Sequence, residues 1–92
     1  MQNLSRPGGR YVNVTSTDAA TCKVGPGILK KIVVNKAITG TIKVIDNTTG
    51  STANIATVTN PTVGLVLNYD LDFSAGLIVI ASATPDLTVV FS

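Results

Sequence analysis

The stretch Val63-Gly64-Leu65-Val66-Leu67-Asn68-Tyr69-Asp70-Leu71-Asp72-Phe73 is apolar at every odd position and small or polar at almost every even one. A period of two is what a β-strand with one buried and one wet face imposes. Tyr69 and Phe73 fall on the apolar face and read as core. Downstream, Ser74-Ala75-Gly76 closes this strand, and residues 77–83 come next, apolar on both sides as in a strand covered on both faces. Thr84-Pro85-Asp86 turns into a last strand, where Leu87, Val89 and Phe91 alternate with Thr88 and Ser92. Upstream, Asn60-Pro61 ends a weak strand over residues 53–58. Before that, Asp46-Asn47-Thr48-Thr49-Gly50 is a turn compatible with a hairpin, and residues 41–46 carry Ile42 and Val44 on one side.

The first third of the chain repeats the pattern in shorter pieces. Val12 and Val14 alternate with Tyr11 and Asn13, Thr17-Asp18-Ala19 turns, and residues 20–24 form a second strand closed by Gly25-Pro26-Gly27. Residues 28–36 are less regular. Ile28, Ile32 and Val34 share one face with Lys30, while Leu29 and Val33 share the other with Lys31. Either a bulge near Lys30-Lys31 repairs the register, or an edge position uses inward lysines against aggregation. No segment has helical periodicity. The expectation is an all-β fold, a small eight-stranded β-sandwich of jelly-roll type over residues 10–92. Its inward positions would be Val12, Val14, Ile42, Val44, Leu65, Leu67, Tyr69, Leu71, Leu77, Val79, Leu87 and Val89. Residues 1–9 hold Pro7 and Gly8-Gly9 without periodicity and read as an extended N-terminal arm.

Composition supports the sheet. Val, Ile and Thr make up 33 of 92 residues, and their branched side chains suit a pleated surface. Glu is absent, and charged residues make up 13% of the chain, about half the usual share. A domain of this size buries only about two-thirds of its unfolded surface and is marginal alone. Cys22 is the single cysteine and there is no histidine, so a disulfide within the chain and structural zinc are both out. Oligomerisation or docking onto something larger remains.

A net charge of +2, with lysines spread over positions 23, 30, 31, 36 and 43, gives no nucleic-acid footprint. No apolar run approaches the roughly 18 residues of a membrane span, and the N-terminus has no signal-like apolar region. Synthesis in a cytoplasm is the expectation. Nucleophilic catalysis needs a base beside the nucleophile, and Cys22, Ser and Thr have no histidine to serve. Cys22 reads as a small buried hydrophobe. Asp70 and Asp72, two apart on a strand, share a face with Asn68 and suggest an acid/base pair or cation ligands. A calcium ion needs 6–8 oxygens, however, and the chain has five acidic residues. A solvated strand face is the simpler reading. Gly25-Pro26-Gly27 has neither the Lys-Ser/Thr pair nor the helix that completes a phosphate loop, and reads as a turn. No catalytic residue, cofactor or metal is expected.

Two segments and the chain's close carry a resemblance. Gly27-Ile28-Leu29-Lys30-Lys31-Ile32-Val33-Val34-Asn35, then Thr41-Ile42-Lys43-Val44-Ile45-Asp46, and the close Asp86-Leu87-Thr88-Val89-Val90, resemble small structural proteins of tailed bacteriophages. The likeness covers roughly residues 10 to 92. It implies a virion accessory protein: a head decoration or cement protein, or a piece of a head or tail fibre. Such proteins are commonly sandwiches or jelly rolls, often trimeric, bound to the capsid exterior where they strengthen contacts between capsomers. The partner implied is the major capsid protein. The resemblance carries over no individual site; it is the aperiodic arm that would order on such a partner, with Leu4 filling a pocket and Arg6 and Arg10 meeting acidic groups. Two rivals stand beside this reading. A surface adhesion or carbohydrate-binding module would want exposed aromatics, and the chain has no Trp; the other rival is a sandwich subunit of a non-viral assembly.

Overall fold

The computed structural model describes residues 10–49 and 54–92. Eight strands follow one another: β1 (Arg10–Val14), β2 (Ala20–Val24), β3 (Gly27–Val34), β4 (Thr41–Ile45), β5 (Asn54–Thr59), β6 (Val66–Phe73), β7 (Gly76–Ala81) and β8 (Leu87–Phe91). They form two four-stranded antiparallel sheets, ordered β1-β8-β3-β6 and β2-β7-β4-β5. The pairs are nested: β4 with β5, β3 with β6, β2 with β7, β1 with β8. Ladders β3–β8 and β4–β7 complete the two sheets.

One apolar cluster holds the sheets together. Val14, Leu29, Ile32, Val34, Phe73, Leu87, Val89 and Phe91 from the first sheet meet Ile42, Val44, Leu77, Val79 and Ala81 from the second. Period-two alternation puts each of these except Leu29 on the inner face of its strand, and a bulge in β3 brings Leu29 to the same face. Of the anticipated core, Val14, Ile42, Val44, Leu77, Val79, Leu87 and Val89 are buried, while Val12, Leu65, Leu67 and Tyr69 pack half-buried against it. The turn after β4 does link a hairpin, since β4 and β5 pair antiparallel.

Leu71 departs from expectation: it is 44% exposed. The step from Leu29 to Lys31 in β3 is matched by the longer step from Leu71 to Asn68 in β6, so β6 holds an extra residue there. Asp70 accommodates it with a left-handed φ of 51°. Leu67, Tyr69 and Phe73 face the core on either side of the insertion and Leu71 lies opposite the buried Leu29, but β6 is the outermost strand of its sheet. Leu71 is the side chain left uncovered. The strand also begins at Val66 rather than Val63, because Gly64 takes φ 84° and Val63 is 67% exposed.

The irregular β3 resolves as a bulge. Its register slips between Leu29 and Lys31 against β8 as well, which brings Leu29, Ile32 and Val34 to one face. The alternative of an edge strand is overturned, since β3 lies between β8 and β6. Strand β7 is apolar on both faces, as expected, and is covered within the chain. Ile78 pairs with Ile45, and the two are 2% and 0% exposed.

Candidate interaction surfaces

Two polar clasps tie the sandwich at its ends. Asp46, just beyond β4, accepts hydrogen bonds from the backbone N–H groups of Ser74, Ala75 and Gly76 at 2.8–3.3 Å, and from Ser74 Oγ at 3.2 Å. Three successive donors pointing at one carboxylate favour its ionised form, and the Asp46 pKa is lowered, with the Ser74 N–H the largest cause. The clasp joins the β6–β7 turn, which crosses between the sheets, to the end of β4. At Asp86, just before β8, Oδ1 accepts from Asn13 Nδ2 at 2.9 Å and from Asn35 Nδ2 at 3.2 Å. Asn13 also donates to Leu87 O, and Asn35 to Thr88 Oγ1. These bonds bind β1, β8 and the end of β3, and the Asn13 bond leads in lowering the Asp86 pKa.

Beside the Asp46 clasp lies a shallow cleft of about 500 Å³, lined by Pro26, Gly27, Ile28, Asp46, Asp72, Phe73 and Ser74. Asp72 stands opposite Ile28 in the β3–β6 ladder. The carboxylate brought near Asp72 is therefore Asp46, not Asp70, which sits in the bulge without a cross-strand partner. The shared face expected for Asn68, Asp70 and Asp72 is broken there. Both Asp46 oxygens already accept N–H groups, and among the described residues no three potential metal ligands cluster. The cleft thus holds two carboxylates, the clasped Asp46 and Asp72.

Cys22 packs half-buried against the core, and burial pushes its thiol up to about 11, so it is a poor nucleophile near neutral pH. Arg10 opens β1, exposed and opposite Phe91. Leu4 and Arg6 lie outside the described residues, as does the whole of the anticipated arm.

The exposed apolar side chains are the remaining feature. Tyr11 is 71% exposed, Val66 45% and Ile28 39%. All three belong to the first sheet and alternate with core positions, which places them on its outer face, where Val33 and Val90 are half-buried. Val24 adds 72% exposure at the end of β2. Sequence reasoning assigned Tyr11 only to an outward position and missed its sharing a face with Ile28 and Val66, because β1, β3 and β6 are far apart in the chain. Against family models, curated proteins and solved structures, the chain matches none.

Proposed function

We propose that this is a non-enzymatic structural protein of a tailed-bacteriophage virion. It binds the outer surface of the capsid through the major capsid protein and strengthens contacts between capsomers, as a decoration or cement protein does. The resemblance of the β3, β4 and β8 segments supplies the phage class. The observation that carries the binding role is the set of exposed apolar side chains Tyr11, Ile28 and Val66 on the outer face of the first sheet, with Tyr11 at 71% exposure, in a chain only 13% charged. A wet sheet face is ordinarily polar, and apolar side chains gathered on one suit a covered surface.

The sandwich is, on this reading, a jelly roll. Support comes from the nested pairing, in which one long hairpin of four rungs, β1–β8 to β4–β5, is rolled so that its rungs alternate between the sheets. Residues 1–9 act as an attachment arm, with Leu4, Arg6 and Arg10 meeting the capsid. Self-association is also part of the proposal, for which a trimer was the expectation from sequence.

Co-sedimentation of the purified full-length chain with capsids that lack it tests the proposal. Binding that saturates at a fixed ratio to capsomers is expected; no binding sinks the decoration role. Removal of residues 1–9 should leave the far-UV spectrum unchanged and weaken binding. Unchanged affinity removes the arm from the mechanism. A second reading, a carbohydrate-binding adhesion module, draws on the exposed Tyr11 ring, and glycan-array binding abolished by Tyr11→Ala is what it requires.

A further inference from the structure

The four outermost strands differ in one respect. An edge strand presents unpaired N–H and C=O groups, and natural sheets blunt such edges with bulges and charges. Strand β2 is bulged: Thr21 and Lys23 oppose the adjacent residues Ile78 and Leu77. Strand β5 is bulged as well, with Ala56 and Asn54 opposing Val44 and Ile45. Strand β6 carries the extra residue at Asp70, and is further charged by Asp70 and Asp72. Strand β1 has no such device. It pairs with β8 in unbroken register over all five residues, from Arg10↔Phe91 to Val14↔Leu87. It contains no proline and one charge, Arg10, at its end, and among the described residues β8 is its sole neighbour.

We infer that the β1 edge is a strand-addition site whose occupant is β1 of a second copy, paired antiparallel about a two-fold axis through Val12. Two features of the strand select this occupant. One open edge per molecule closes in a dimer, whereas two would propagate a fibre, and three bulged edges leave just one. The five residues Arg10-Tyr11-Val12-Asn13-Val14 also suit themselves as partner. Antiparallel pairing about Val12 sets Val12 against Val12 of the second copy, Tyr11 against Asn13, and Arg10 against Val14. A parallel alignment in register would oppose Arg10 to Arg10, a like-charge pair. The result is one continuous eight-stranded outer sheet, with the Tyr11 side chains of both copies on its outer face. The inference is independent of the capsid reading, and its closed two-fold dimer stands in place of the trimer expected from sequence.

Sedimentation velocity on the full chain at micromolar concentration should show a species of twice the 9.5 kDa chain mass. Val12→Lys and Val12→Glu each place like charges directly opposite across the axis and should weaken association several-fold, while an equal mixture of the two restores it. Far-UV circular dichroism reports whether each variant is folded. Should a charge at this half-buried position unfold the chain, Val12→Cys in a Cys22→Ser background is the second probe. Cross-strand neighbours lie within disulfide reach, so mild oxidation should link two copies at position 12, and Tyr11→Cys in the same background should not. A monomeric wild type, a trimer, or a dimer that Val12→Cys fails to cross-link overturns the inference. Capsid binding can fail without touching any of these outcomes.

Discussion

Among the described charged side chains Asp46 accepts the most hydrogen bonds, its two oxygens collecting the N–H groups of a turn 28 residues away in sequence. A carboxyl whose folded pKa lies below its ordinary 3.8 stabilises the fold fully above the unfolded value. That contribution is lost as pH falls from about 4 through the lower folded value. Asp86 acts in the same direction through Asn13 and Asn35. Thermal melts should therefore fall between neutral pH and about pH 3, less steeply in Asp46→Asn and less again when Asp86→Asn is added. An acid dependence identical in all three proteins would show that the clasps contribute nothing ionic. Sequence reading placed Asp46 in a turn and stopped there. Its partners lie in another turn, so no local spacing marks it, whereas Asp70 and Asp72 drew attention by their spacing and have no clasp.

At the scale of the strand, the bulges decide which side chains are inside. The one in β3 was legible, because its apolar residues switch phase at Lys30 and only an inserted residue puts Leu29, Ile32 and Val34 on one face. The bulge in β6 was hidden by an odd-numbered alternation that runs unbroken through it, at the expense of Leu71. Asp is among the few residues other than Gly that tolerate the left-handed φ of 51° at position 70. Replacing it with β-branched Val should cost about 1–3 kcal/mol in urea unfolding, and Asp70→Gly should cost little or nothing. Equal losses in the two variants would mean that the carboxylate, not the backbone angle, matters at this position.

For the whole molecule, stability rests on one thin core. Ile32 is completely buried, and Ile32→Ala should cost about 2–5 kcal/mol, enough to unfold much of the population of so small a domain. Leu67, half-buried on the outermost β6, should lose clearly less on truncation to Ala. Paired urea titrations check the order, and a larger loss at Leu67 would misplace the core. The eight strands, their phases and most of the core were readable because alternation is a local signal. Strand order was not, since pairing β1 with β8 or β3 with β6 depends on closing long loops that leave no trace in neighbouring residues.

The nested pairing also sets a timetable. Of the paired strands, only β4 and β5 are consecutive in the chain, and each further rung, β3–β6, β2–β7 and β1–β8, closes a longer loop around the one before. Each closure is entropically cheaper once the inner rung has formed, so the chain should zip outward, slowly, on the millisecond-to-second scale typical of non-local β folds. Val44→Ala, in the innermost rung, should then lower the refolding rate, while Val89→Ala, in the outermost, should mainly raise the unfolding rate. Stopped-flow chevrons for the two variants measure this, and a refolding rate reduced equally by both would replace the zipper with a diffuse nucleus. On this schedule β1 is the last strand to be seated and the first to be released, so the edge through which two copies would join is also the rung with the briefest lifetime.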